Sequence, residues 1–178
     1  FMNNFFKYIT LFSVTFSSSI YADVIEDLIL PEGFKISIYA ENIKSARQIA
    51  ESKDGNIFVG SKSGDSLMAL IDSNNDNYAE TKITIASGLS NPTGVALKNG
   101  DLYFSEIDKI WIIKNIDDYM QSGAYEELPL KVIHTDQLPS DSWHGWKWLG
   151  FGPDNSLYVP VGAPCNICIE PLQKDYRL

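Results

Sequence analysis

Three stretches of this chain repeat one another: "DGNIFVG" at Asp54–Gly60, "NGDLYFS" at Asn99–Ser105 and "DNSLYVP" at Asp154–Pro160. Each places a pair of Asp, Asn or Gly residues, suited to a tight turn, before an apolar and aromatic run with strong strand preference. The first apolar residues, Ile57, Leu102 and Leu157, are 45 and 55 residues apart. Eight residues before each of them begin "IAES", "GVAL" and "LGFG", which feed the turn. Further upstream, "FKISIYA" at Phe34–Ala40, "TKITIAS" at Thr81–Ser87 and "LKVIHTD" at Leu130–Asp136 alternate apolar and polar residues, as half-exposed strands do. After the first two turns, "DSLMALID" and "DKIWIIKN" supply one more strand each. The unit is read as lysine-led strand, loop, strand, turn, strand, turn, strand.

A four-stranded unit of this size cannot bury its faces alone and must stack on its neighbours. Four short antiparallel strands at this period are the pattern of a β-propeller blade. The fold class expected is all-β, a β-propeller, with about three blades present. Only a turn or so near "IDDYMQSGAYEEL" suggests helix. Propellers close with four to eight blades, and an open arc leaves sheet edges bare. Phe1 also stands before Met2. Residues 23–178 are therefore expected to be the N-terminal part of a longer propeller domain, truncated at the C-terminus.

Residues 1–22 carry one positive charge at Lys7, a short apolar stretch diluted by Thr and Ser, and small residues up to Ala22. That is the order of a secretory signal peptide, and the stretch is too short to span a bilayer. The mature protein is expected to be periplasmic or secreted, without stable membrane insertion. A net charge of −9 with no basic run gives no electrostatic footprint for nucleic acid. A small molecule or another protein is the expected partner.

The least repetitive stretch is "WHGWKWLGFGPDNSLYVPVGAPCNIC", Trp143 to Cys168. It resembles the pyrroloquinoline quinone (PQQ)-dependent glucose/sorbosone dehydrogenases, nearest their sorbosone-dehydrogenase-like branch. The opening "LPEGFKISIYAENIKSARQIAESKDGNIFVGSKSG" resembles the first blade of the same family. The resemblance implies an exported six-bladed propeller with PQQ over the central channel and Ca2+ nearby. A sugar or sugar-derived aldehyde or alcohol would give hydride to the quinone, and an electron acceptor would reoxidise it. The family's histidine, eight residues before the Gly of Gly-Pro-Asp, matches His144 with Gly152. It is expected to act as general base on the substrate hydroxyl, since imidazole titrates near working pH. The alternative is a structural histidine packed among Trp143, Trp146 and Trp148.

The glucose-oxidising branch orients this histidine with an acidic residue where this chain has Ala163, so the resemblance leaves glucose itself in doubt. Arg47 and Asn91 stand where blades begin, facing the channel, as candidate neighbours of the cofactor. Most PQQ and calcium ligands would lie beyond Leu178, and no metal ligand is assigned within the chain. His134 is read as an exposed strand residue. Cys165 and Cys168 lack the following His of a haem c site and the second pair of a zinc site. They are read as a local disulfide bracing the channel-mouth loop, or as a strained, reducible pair. "DSNNDNYAE" at Asp72–Glu80 has the composition of a calcium loop without EF-hand spacing, and is read as a polar turn. Two rival functions stand beside the dehydrogenase: a calcium-dependent gluconolactonase-type hydrolase, and a non-catalytic binding platform.

Overall fold

A computed structural model describes residue 25, residues 27–123, 131–134, 138–163 and 166, with the backbone path alone for 131–134. The chain divides into two units, Phe1–Ser37 and Ile38–Leu178. In the first, the Phe34 N–H closes a turn on the Pro31 carbonyl at 3.1 Å. The second holds every strand that is described.

Those strands form two four-stranded antiparallel sheets and the start of a third. The first sheet runs in sequence order through β1 (Ala46–Glu51), β2 (Ile57–Ser61), β3 (Leu67–Ile71) and β4 (Thr81–Ala86). The second repeats this with β5 (Val95–Lys98), β6 (Asp101–Ser105), β7 (Ile110–Ile113) and β8 (Lys131–His134). The helix α1 (Ile116–Ser122) fills the β7–β8 connection. The third sheet pairs β9 (Gly150–Phe151) with β10 (Leu157–Tyr158). Consecutive four-stranded meanders are the form of a propeller blade.

The repeats do seed the hairpins. β5 and β6 pair up to Lys98 and Asp101, leaving Asn99 and Gly100 as a two-residue turn at φ 52° and 83°. Both central residues are left-handed, which Asn-Gly accommodates and which matches the twist of the flanking strands. The third turn closes with Gly152 N–H on the Ser156 carbonyl at 3.0 Å. Asp154 accepts the Ser156 N–H, a bond that with the Tyr158 hydroxyl holds its carboxyl below the ordinary carboxylate range.

The expected phase of the unit needs correcting. The lysine-led strands "TKITIAS" and "LKVIHTD" do not open a sheet; they end one, as β4 and β8. Alternation identifies a strand with one exposed face but does not say which neighbour it bonds. β2 and β3 are mostly buried in the sheet interior, whereas β4 is exposed along its first half, as suits an outermost strand. β4 takes its partner from the preceding strand, Thr81 opposite Ile71. No strand precedes "FKISIYA" among the described residues, and Phe34–Ile38 forms no ladder.

The sheets stack face to face. Phe58, Leu67 and Ala69 of the first pack with Val95, Leu102 and Phe104 of the second in a fully buried core. The opposite face of the second sheet carries Ala96, Tyr103 and Ile110 against Leu149, Phe151 and Leu157 of the third. Neighbouring residues of β6 thus serve different interfaces, as a period of two requires. Tyr103 meets Phe151 edge to face at 4.9 Å. Helix α1 joins the stack through Asp117, which accepts Ser52 Oγ at 2.5 Å and Asn56 Nδ2 at 3.1 Å, both from the first Asp/Gly turn.

One side chain spans all three sheets. Gln48 of β1 donates from Nε2 to the Leu149 carbonyl at 2.7 Å. Its Oε1 accepts the N–H of Val95 at 3.2 Å and of Leu149 at 3.1 Å. The first strands of successive sheets are therefore held side by side, level at residues 48, 95 and 149.

Candidate functional site

Beside that level lies the loop that leads into β9. From Gly145 to Leu149 its residues alternate strictly: Gly145, Lys147 and Leu149 are buried, Trp146 and Trp148 are exposed. Trp143 is exposed too, at 60%. Hydrophobic burial alone would put the indoles inside and the ammonium outside, so the pattern is inverted. His144 is therefore not packed in a tryptophan core. Its imidazole lies 4.9 Å from the Trp143 ring, and Trp146 turns its face to the Lys62 ammonium at 3.9 Å.

His144 adopts φ 55°, in the left-handed region. The turn around it is closed by the Gly145 N–H on the Ser142 carbonyl at 3.2 Å. Across a small recess stands Val161–Gly162. A side chain at residue 162 would collide with the His144 carbonyl and Cβ, so only glycine permits this approach. The neighbouring Ala163 carbonyl lies 2.9 Å from His144 Nδ1. A carbonyl only accepts, so Nδ1 carries a proton, and in the neutral ring the lone pair is on Nε2. The residue whose side chain cannot orient the histidine does so with its main chain.

Lys147 enters the same recess from below and is 1% exposed. Its Nζ donates to the Gly145 carbonyl at 2.6 Å. Among the described residues no carboxylate lies within ion-pair distance of it. Burial pushes its pKa below the ordinary lysine range, opposed by the charge of Asp108. The Lys147 carbonyl accepts Ser105 Oγ at 3.2 Å, and that oxygen accepts the Gly94 N–H at 3.0 Å, tying the loop to the second sheet. Nothing in the repeat pattern marked Lys147 or Gln48. The signal for Lys147 was a lone cation in the inward phase of "WHGWKWLG".

Arg47 stands on β1 one residue before Gln48, while Asn91 and His144 lie in the segments that lead into β5 and β9. Arg47 is exposed on β1, and Asn91 is half-buried at φ 49°. Neither side chain has a hydrogen bond to the described residues. Two cationic or amide groups and a histidine thus come to one end of three adjacent strands.

The acidic turn is brought together as well. Asp72, Asp76 and Glu80 place carboxylate oxygens within 4.8 Å of one another. These oxygens close the turn itself: Asp72 accepts Asn77 N–H at 2.8 Å, Asp76 accepts Tyr78 N–H at 2.8 Å and Glu80 accepts Ser73 N–H at 3.1 Å. His134 is on β8, opposite Ile110. Cys165, Cys168 and residues 1–22 lie outside the described residues. Among those described, no helix is long and apolar enough to cross a membrane.

Comparison with known proteins gives a fold likeness and one sequence relative. No family model matches the chain. An uncharacterised protein of Borreliella burgdorferi is 30% identical over 96% of this chain, which spans 45% of that relative's length. The holo form of the pyranose dehydrogenase PQQ domain from Coprinopsis cinerea superposes with a TM-score of 0.54 at 15% identity. The alignment covers 70% of this chain and 29% of that one. The calcium structure of a Trichoderma reesei enzyme of carbohydrate-active family AA12 gives 0.56 at 19% identity, covering 70% and 31%. At these identities the likeness is one of fold.

Proposed function

We propose that this chain is the N-terminal part of an exported, six-bladed PQQ-dependent oxidoreductase. Its substrate is a sugar or a sugar-derived aldehyde or alcohol, and His144 is its general base. The observation that carries this reading is the pairing of His144 Nδ1 with the Ala163 carbonyl, which leaves Nε2 basic beside a recess. A histidine retained for packing has no need of a left-handed backbone, a glycine neighbour and a dedicated acceptor. Support also comes from the fold, which is shared with a PQQ domain and with a sugar-active enzyme.

The residues at hand suit an anionic quinone. Arg47 offers a guanidinium, which pairs well with carboxylates, and Asn91 an amide. Calcium and the remaining quinone contacts are assigned to blades beyond residue 178. When bound, the quinone supplies the two-electron acceptor. His144 Nε2 would receive the proton of the substrate hydroxyl as hydride leaves the carbon that bears it, so the carbinol group loses two electrons and two hydrogens in all, one from oxygen and one from carbon. The Ala163 carbonyl stabilises the imidazolium formed, and Trp143 shields one side of the ring.

The intact protein should bind PQQ in the presence of Ca2+ with a defined stoichiometry, and sugars should then bleach the oxidised-quinone absorbance. Binding of Ca2+ alone, with lactone hydrolysis and no quinone reduction, would identify a gluconolactonase-type enzyme instead. Export has a separate test. Fused to a reporter, residues 1–22 should direct translocation and be removed after Ala22. Intact mass showing an uncleaved N-terminus on a membrane-bound product would establish an anchor.

A further inference from the structure

The inverted strip sets a question that the base mechanism leaves open: what does a buried ammonium do beneath His144? Among the described residues Lys147 is the largest fully buried polar side chain, in the company of Phe58 and Leu67. A methionine would fill the same volume without desolvating a charge, and buried charges often destabilise relative to such replacements. Among the described residues the only hydrogen-bond partner of its Nζ is the Gly145 carbonyl, one residue after His144. A left-handed conformation is unfavourable for a non-glycine residue and persists only where the surroundings over-determine it. Three contacts do so here. Gly162 lies against the His144 backbone, Ala163 holds Nδ1, and Lys147 pulls the next carbonyl inward. Of these, the lysine bond is the charge-assisted one, and such bonds are shorter and about twice as strong as neutral ones.

We propose that Lys147 is a positioning residue: bonded to the Gly145 carbonyl, its buried ammonium locks the Ser142–Gly145 turn so that His144 keeps Nδ1 on Ala163 and presents Nε2 to the recess. The proposal rests on the base role given to His144 above, yet it concerns a conformation that can be read without any cofactor. Loosening the turn lets the imidazole leave Ala163, and then either nitrogen can carry the proton. Misplacement of a reacting group by about 1 Å can lower the rate on the order of 10²-fold.

The test compares Lys147→Met with Lys147→Arg in the intact protein, using 15N chemical shifts of the His144 ring, melting temperature and kinetics. The wild type should show one neutral tautomer, protonated at Nδ1. Lys147→Met should show exchange between tautomers and a melting temperature equal to or above wild type. Its kcat with PQQ and sugar should fall roughly 10–100-fold with KM within about threefold. Lys147→Arg should restore the single tautomer. Retention of one Nδ1-protonated tautomer in Lys147→Met overturns the proposal. So does a lowered melting temperature or failure to fold in Lys147→Met where Lys147→Arg folds, since the lysine is then a structural cation. If the wild type reduces no quinone, the functional reading fails, and the ring shifts still decide the role of Lys147.

Discussion

Replacing His144 should abolish most turnover while leaving the quinone bound. In the intact protein carrying PQQ and Ca2+, His144→Ala should lower sugar oxidation per bound quinone by about 10²–10⁴, the usual loss for one positioned general base. PQQ affinity should change little, because in the proposed division of labour charged groups such as Arg47 and the metal would hold the cofactor while the imidazole would meet only the substrate proton. Alanine at φ 55° is strained, so His144→Asn is the better control. Asparagine tolerates left-handed backbone but cannot accept a proton at neutral pH. Both variants should lose the same activity, and only the alanine should lose appreciable stability. Turnover within about threefold of wild type, alongside a lowered melting temperature in both, would make His144 a packing residue and remove the best support for a dehydrogenase.

The largest loss of stability is expected at Gln48. Gln48→Leu keeps most of the volume and removes three hydrogen bonds at once, to Val95 N–H, Leu149 N–H and the Leu149 carbonyl. Each buried backbone group left without a partner costs about 1–3 kcal/mol. Partial access of water to this half-buried site reduces that, giving roughly 2–4 kcal/mol in total. Gln48→Glu should lie between, since a carboxylate still accepts the two N–H groups but repels the Leu149 carbonyl. Denaturant unfolding measures all three. Equal midpoints for wild type and Gln48→Leu would show that apolar stacking alone holds the three first strands together.

The hairpins were legible because their turns need special backbone angles. Asn99-Gly100 and the Asp/Gly pairs announce those angles, and the apolar runs beside them became β2, β6 and β10. The grouping into sheets was not legible. "TKITIAS" reads identically whether it bonds forward or backward, and only the ladder from Ile71 to Thr81 settles it. The motif marks His144 but not its orienting partner, because Ala163 stands where the glucose-oxidising branch has an acidic side chain. The acceptor is a backbone carbonyl, and every residue carries one. Gln48 was hidden for another reason: its partners lie 47 and 101 residues away, and one polar residue in a short strand ordinarily signals an exposed face.

The inverted strip also decides what light the molecule emits. The chain has four tryptophans: Trp143, Trp146 and Trp148 are exposed in the segment that carries His144, while Trp111 stacks on Phe104 and donates its indole N–H to Glu106. Three fluorophores in polar surroundings, gathered within six residues, make the red side of the emission a local signal. The fourth, held against the core, reports on the fold. A molecule entering the recess would quench or shift Trp143, which lines it, whereas unfolding would move Trp111 as well. Occupancy and integrity are therefore separable in one spectrum, with no label attached.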